Sequence, residues 1–303
     1  MPPSTSIVPA RVRAFATVGR ALDTAEIAFV IPTRNEMVTM PRLVNEMERV
    51  LADEPRPACV MVVDDSDDAT PEVVAGLARQ RSWLQLLHRT RPHRTGGLGG
   101  AVLAGFARVD ADVLVVMDGD LQHPPRVALE LARHVARGCC DLAIGSRYID
   151  GGSVAGLGGP YRRLVSRGAN AVAKRQLARL DGITDPMSGC FALHRRVLDR
   201  GDVQADGFKV LLEILARGAW TTVHEVPLVF GPRADGDSKA SASEGLRYLR
   251  QLRRLRRDLA ARTRVLDLRD HPGPQDRPTS DMRQAVGPDS RRNADVDRTG
   301  AAR

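Results

Sequence analysis

The chain is 303 residues long, 43% hydrophobic, 4% aromatic and formally +8 in charge. That length and apolar fraction suit one large or two small globular domains. No apolar run approaches the roughly 18 residues of a membrane span, and the opening MPPSTSIVPARVRAFATVGR lacks the apolar centre of a secretion signal. Cys59, Cys139, Cys140 and Cys190 form no C-x-x-C pair and no disulfide framework, so reduced thiols in a cytosolic compartment are expected.

Taken in chain order, residues 1–24 read as a loose lead-in. IAFVIPT (27–33) is a buried strand cut off by Pro32, and Met40, Leu43, Val44, Met47, Val50 and Leu51 recur at helical spacing. ACVMVVDD (58–65) is a second strand. TPEVVAGLAR (70–79) is a helix with Thr70 as N-cap and Pro71 at its first position. LQLLHR is a third strand, GGLGGAVLAGFARV a glycine turn running into a helix, and DVLVVMD a fourth strand. DLAIGSR adds another strand, 159–177 a helix, and TDPMSGCFALHRRVL a turn, strand and helix. GFKVLLEILARG is a helix and TTVHEVPLVF a strand. Continuous apolar strands alternating with helices predict an α/β fold with a mostly parallel sheet flanked by helices. The glycines of TGGLGGAVLAG fit neither G-x-G-x-x-G nor G-x(4)-G-K-[ST] and read as a turn into a helix.

In such sheets ligands sit at the carboxyl ends of the strands. Asn35-Glu36, Asp64-Asp65, Asp118-Gly119-Asp120 and Gly145-Ser146-Arg147 all fall on that edge. Two aspartates in a tight turn offer hard oxygens to one Mg²⁺ or Mn²⁺, which completes its shell with substrate phosphates. Gln122 places an amide two residues further. Cationic partners for phosphate are Arg147, and Arg233 with Lys239 on the loop GPRADGDSK. Lys239 is one of only three lysines, beside Lys174 and Lys209.

The segments VIPTRNE, VVDDSDDAT, VMDGDLQHPP, GSRY, RRLVSRGAN, DPMSGCFALHR, GFKVLLEIL and EVPLVFGPRADGDSK follow one another over residues 28–239. In this order the chain resembles glycosyltransferase family 2, of the GT-A fold, and within it the dolichyl- or polyprenyl-phosphate mannosyltransferases. The resemblance implies metal-dependent inverting transfer of a hexose, with mannose from GDP-mannose favoured, to a polyprenyl phosphate; the alternative is a related family 2 enzyme using UDP-glucose or another donor, or a hydroxyl acceptor. It places Pro32, Glu36, Val63 and Asp65 in the nucleotide pocket, with Gly119 packing on the nucleotide. Asp118, Asp120 and Gln122 become ligands of Mg²⁺ or Mn²⁺. Arg147, Arg233 and Lys239 meet donor or acceptor phosphates, and Arg162 and Ser166 the acceptor phosphate. Two departures touch the base pocket: Arg34 stands where the family usually has Tyr, and DDSDDAT is one residue shorter than the common DDGSxDGT and lacks its glycine. Guanine and uracil, hence GDP-mannose and UDP-glucose, both remain open there, as does Arg34 as a contact to base or ribose. No general base stands out; Asp185 and Glu213 are read equally well as structural carboxylates.

The implied organisation is a lead-in (1–24), a GT-A catalytic domain (25–240), a basic amphipathic helix (241–266) and a disordered tail (267–303). From Arg247 onward 15 arginines stand against 8 aspartates. Within 244–266, Leu246, Leu249, Leu252, Leu255 and Leu259 make an apolar stripe. Entry of that stripe into an anionic bilayer, packing of the helix on the core, and docking to a membrane-embedded partner protein are the three readings. The expected location is cytoplasmic, peripheral on the inner face of the cell membrane. A nucleic-acid-binding protein is the least favoured alternative, since it leaves the acidic rim unexplained and few aromatics are present for stacking.

Overall fold

The computed structural model describes residues 17–18, 25–157, 160–199, 203–204, 209–231 and 248–260. Eight strands form one sheet: β1 (Thr17–Val18), β2 (Ile27–Thr33), β3 (Ala58–Asp64), β4 (Leu84–His88), β5 (Val113–Val116), β6 (Leu142–Ser146), β7 (Phe191–His194) and β8 (Val223–Pro227). Their order is β1-β4-β3-β2-β5-β7-β6-β8, with β1 and β7 antiparallel to their neighbours and the other pairings parallel. The two residues of β1 lie within the stretch read as a loose lead-in.

The helices are α1 (Met40–Ala52), α2 (Thr70–Ala78), α3 (Gly97–Phe106), α4 (Pro125–Ala136), α5 (Pro160–Gln176), α6 (Arg196–Asp199), α7 (Val210–Arg217) and α8 (248–260). They cover both faces, which is why the strands are apolar throughout rather than alternating: all seven residues of β2 are buried. Ile27, Phe29 and Ile31 join Met40, Leu43, Met47, Val74 and Leu129 on one face. Ala28 and Val30 join Phe106, Leu212, Leu252 and Leu255 on the other.

Three local expectations change. Thr70 is the first residue of α2 and not its cap; its amide and hydroxyl both donate to Asp68, at 3.0 and 2.5 Å. The aspartate two positions upstream is thus the acceptor that the helix start needs. Helix α4 is absent from the predicted elements. Pro124-Pro125 looks like a break, yet Pro125 begins the helix where no intrahelical amide bond is required.

The later part of the leucine stripe of α8, from Leu252 on, turns inward. Leu252 and Leu255 are fully buried, Leu259 packs against the same core, and Tyr248 donates to the Ala169 carbonyl at 2.6 Å. A buried ionic cluster seals the contact: Glu213 lies 2.7 Å from Arg217 and 3.1 Å from Arg254, and Arg217 reaches Asp258. Leu252 and Leu255 are therefore unavailable to a bilayer, whereas Leu249 is 40% exposed and Leu246 lies outside the described residues; Glu213 is held as a structural carboxylate. Residues 1–16, 261–303 and the loop with Arg233 and Lys239 lie outside the described residues.

Helix α3 lies on β2 and β3 through Gly105. A Cβ there would come within 2.4 Å of Val30 Cγ1 and 2.9 Å of Val63 Cγ2. Gly105→Ala should destabilise the protein by about 1–3 kcal/mol through overpacking, read as a lower urea midpoint at unchanged slope.

Candidate active site

Strands β2, β3 and β4 end together. Pro32 pairs with Val63, and Asp64 lies opposite His88. Asp64 is fully buried and satisfied from three sides: Thr33 Oγ1 at 3.2 Å, His88 Nδ1 at 2.6 Å and the Ser66 hydroxyl. Its neighbour Asp65 is gripped bidentately by Arg89, Nε at 2.7 Å and Nη2 at 2.5 Å. Arg89 is itself only 2% exposed, so the fork is fixed before any ligand arrives. The loop after β2 is stitched to the loop after β3. Asn35, left-handed at φ 61°, donates its amide to Ser66 Oγ at 2.7 Å and accepts from the Asp67 amide at 3.0 Å. Glu36 donates its amide to Thr70 and accepts the Thr39 hydroxyl at 2.9 Å. Arg34 is 70% exposed and 3.9 Å from Asp67. Hydrogen bonds from Arg94 and Arg91 hold the Asp67 carboxyl below its ordinary range.

The D-G-D turn follows β5. The Asp118 side chain is 36% exposed, whereas Asp120 is buried and accepts the Gln122 amide at 3.1 Å around Leu121, a left-handed residue at φ 63°. Gly119 is closely packed: a Cβ would meet Thr33 Cγ2 at 2.8 Å and Met40 Cε at 3.0 Å, and its carbonyl accepts Thr39 Oγ1 at 3.3 Å. Gln122 Nε2 donates to the carbonyls of Gly156 and Gly231, at 3.3 and 3.0 Å, so the amide oxygen is not used in those two bonds. His123 is buried, and that burial pushes its pKa down to about 4. Its unprotonated Nδ1 accepts the Asp118 amide at 3.0 Å.

On the far side of β5, the segment 185–190 leads into β7 across the same edge. Asp185 is fully buried and receives Arg147 Nε at 2.7 Å, Nη2 at 2.8 Å and the Arg147 amide at 3.2 Å. Burial acts to lower the Arg147 pKa, but the Asp185 carboxylate outweighs it and raises the value. Glu225 of β8 accepts the amides of Thr184 and Asp185 and so fixes that turn. The Arg147 guanidinium carbon lies 5.6 Å from the ring centres of Tyr148 and Phe230. Tyr148 and Ser166, on α5, share a 2.7 Å hydrogen bond. Arg162 falls on the first turn of α5, outside the described side chains.

The fold therefore gathers Pro32, Arg34, Glu36, Val63, Asp65, Asp118, Gly119, Asp120, Gln122, Arg147 and Ser166 along one edge of the sheet. Arg89, Asp185, Tyr148 and His123 are additions that the sequence reading did not assign as partners of the site. Arg89 had a visible signal: it follows His88, whose register partner is Asp64, and so falls beside Asp65.

Two carboxylates and one amide oxygen suit a hard divalent cation. Among the described residues no group of three or more His, Cys, Asp or Glu side chains forms a complete metal cage. That donor set fits Mg²⁺ or Mn²⁺ shared with substrate phosphates, and not a closed structural site.

A mostly parallel sheet with paired carboxylates and fixed arginines at its carboxyl edge defines an α/β enzyme built for a phosphorylated ligand. The chain belongs to glycosyl transferase family 2, whose model matches residues 28–201. It is 39% identical over 231 residues to the dolichol-phosphate mannosyltransferase of Pyrococcus furiosus, covering 76% of this chain and 63% of that one. It is 37% identical to the polyprenol monophosphomannose synthase of Mycolicibacterium smegmatis, covering 71% of this chain and 80% of the relative. In fold it is similar to glucosyl-3-phosphoglycerate synthase of Mycobacterium tuberculosis, crystallised with Mn²⁺ and UDP-glucose, at a TM-score of 0.58 and 18% identity over 77% of this chain and 80% of that one.

The Arg147–Asp185 pair is buried, so removing one member strands the other. Asp185→Ala should cost about 3–5 kcal/mol, and denaturation of Asp185→Ala beside Arg147→Met/Asp185→Leu should show the double variant recovering most of that loss.

Proposed function

We propose that the protein transfers mannose from GDP-mannose to a polyprenyl phosphate, in a reaction dependent on Mg²⁺ or Mn²⁺. The observation that carries this reading is the D-G-D turn at the end of buried β5, facing the Arg147–Asp185 and Tyr148–Ser166 pairs across the same edge, in a chain whose relatives are named dolichol-phosphate mannosyltransferase and polyprenol monophosphomannose synthase.

Pro32, Val63 and Asp65 form the nucleotide side, with Glu36 and Gly119 closing it and Arg34 reaching the base or ribose. Asp118, Asp120 and the Gln122 oxygen hold the divalent ion, which when bound neutralises charge developing on the departing diphosphate. An acceptor oxygen attacks the anomeric carbon as its bond to the diphosphate breaks, with inversion. A phosphate monoester has its second pKa near about 6, so the nucleophile is already an anion and needs no general base. The commitments of Asp185 and Glu213 to arginines accord with this. Arg147 offers the guanidinium edge not used by Asp185 to phosphate; Arg162 and Ser166 receive the acceptor, with Tyr148 orienting the Ser166 hydroxyl. Arg233 and Lys239 complete the phosphate contacts.

The acceptor is a lipid, and among the described residues no helix is long and apolar enough to cross a membrane. Helix α5, which carries Ser166, exposes Leu164, Val165 and Val172 beside Arg167, Lys174 and Arg175. That face, with the arginines of α8, is the side we assign to the bilayer, in place of the buried Leu252 and Leu255 of α8. The inner face of the cell membrane and a membrane-embedded partner protein remain part of this proposal.

Asp118→Asn should reduce transfer at least about a hundredfold with the fold intact. The assay is label passing from GDP-mannose to polyprenyl phosphate in detergent, with and without EDTA. UDP-glucose run in parallel decides the base; label from it alone, or transfer insensitive to EDTA, refutes the corresponding part. Leu164→Glu/Val165→Glu should abolish co-sedimentation with phosphatidylglycerol vesicles. Sedimentation equal to the native protein would move the membrane face elsewhere.

A further inference from the structure

We propose that His123 is a positioning residue for Asp118: its ring Nδ1 accepts the Asp118 amide and so fixes the backbone from which the carboxylate reaches the cation site. The inference rests on the divalent-ion reading above. The ladder of β5 ends at Val116, paired with Val30 on one side and Phe191 on the other. Asp118 lies two residues beyond, where sheet partners have run out and a partly buried amide needs an acceptor. His123 supplies it at 3.0 Å. A protonated ring would present N–H to N–H, so the geometry selects the tautomer with the proton on Nε2.

The ring has little freedom. Phe230 lies against it with centroids 5.3 Å apart. On another side Gly189 approaches so closely that a Cβ would fall 2.9 Å from His123 Cε1 and 2.8 Å from Asp118 Oδ2. The backbone is restricted too, because Pro124 follows and disfavours a helical conformation at His123. The loop from Asp118 to His123 thus closes on itself. The Asp120 carboxylate is fixed inside it by the Gln122 amide, and the Asp118 backbone by His123. Residues that orient metal ligands typically change metal affinity by about 10–100-fold when removed.

Two variants separate the hydrogen bond from the packing. His123→Asn keeps an acceptor near the Nδ1 position, and His123→Phe keeps an aromatic ring but no acceptor. Mn²⁺ binding to the folded proteins, measured by electron paramagnetic resonance, should weaken about tenfold or more in His123→Phe and stay close to native in His123→Asn. Exchange of the Asp118 amide, followed by NMR without metal, should be fast in His123→Phe and slow in His123→Asn. Native affinity and slow exchange in His123→Phe overturn the proposal, and so does an equal loss in both variants. If His123→Phe does not fold, His123→Gln, with its acceptor one bond further out, replaces it; His123→Gln should bind Mn²⁺ more weakly than His123→Asn, and equality of the two overturns the proposal. A native protein that does not bind Mn²⁺ refutes the metal reading, while the exchange data still decide whether His123 holds the amide.

Discussion

The arrangement hinges on one buried ion pair, Arg147 with Asp185. Asp185 precedes β7, the strand that runs against its neighbours and lies between β5 and β6. Because β7 is antiparallel, its amino end lies at the carboxyl edge of β5 and β6. The 185–190 segment must therefore cross the very rim where a parallel sheet keeps its ligands. Arg147, one residue past β6, catches that segment by two side-chain bonds and one amide bond. Glu225 catches it from β8. The crossing segment then lies against Asp118 at Gly189, where a Cβ would come within 2.8 Å of Asp118 Oδ2. One pairing thus joins β6, β7 and β8 to the D-G-D turn.

The same accounting sorts the acidic residues of the rim. A buried carboxylate persists only if its charge is met by hydrogen bonds or a cation. Asp64 has Thr33, Ser66 and His88; Asp65 has Arg89; Asp185 has Arg147 and backbone. These are part of the scaffold as much as of the site. Asp118 differs, with over a third of its side chain open to solvent at the centre of the edge. A bound cation there would meet a carboxylate whose backbone is restrained and whose face is accessible.

How much of this the sequence carried depends on the range of each interaction. The strands were legible because sheets covered on both faces demand unbroken apolar runs, and the Asp64-Asp65 and Asp118-Asp120 clusters could be put on one edge because each follows such a run. Arg147 and Asp185 were both noticed, but their pairing spans 38 residues and depends on the reversed direction of β7, which no local pattern encodes. Helix α4 was hidden by two prolines that punctuate in one context and initiate in another. His123 sat inside a quoted motif, yet its acceptor role appears only when the chain folds back across five residues to the Asp118 amide.

Helix α8 shows the limit most clearly. A leucine stripe among arginines is the same pattern whether the apolar side meets lipid or protein. What decides is a second surface of matching shape and charge, and α7 provides it. Its Leu211 and Leu212 are buried in the same core as Leu252 and Leu255, and its Glu213 accepts Arg254 from α8. Arg217 and Asp258 complete a cluster in which acid and base alternate between the helices. Burying those charges is costly unless every one is met, so the match specifies this packing more sharply than the leucines do. With Leu252 and Leu255 of α8 committed to the core, α5, the helix that also bears Ser166, exposes Leu164, Val165 and Val172. Under the proposed function, lipid contact and acceptor contact would fall on one element, and a chain with no membrane-spanning helix among its described residues would reach a phosphate held at the bilayer surface.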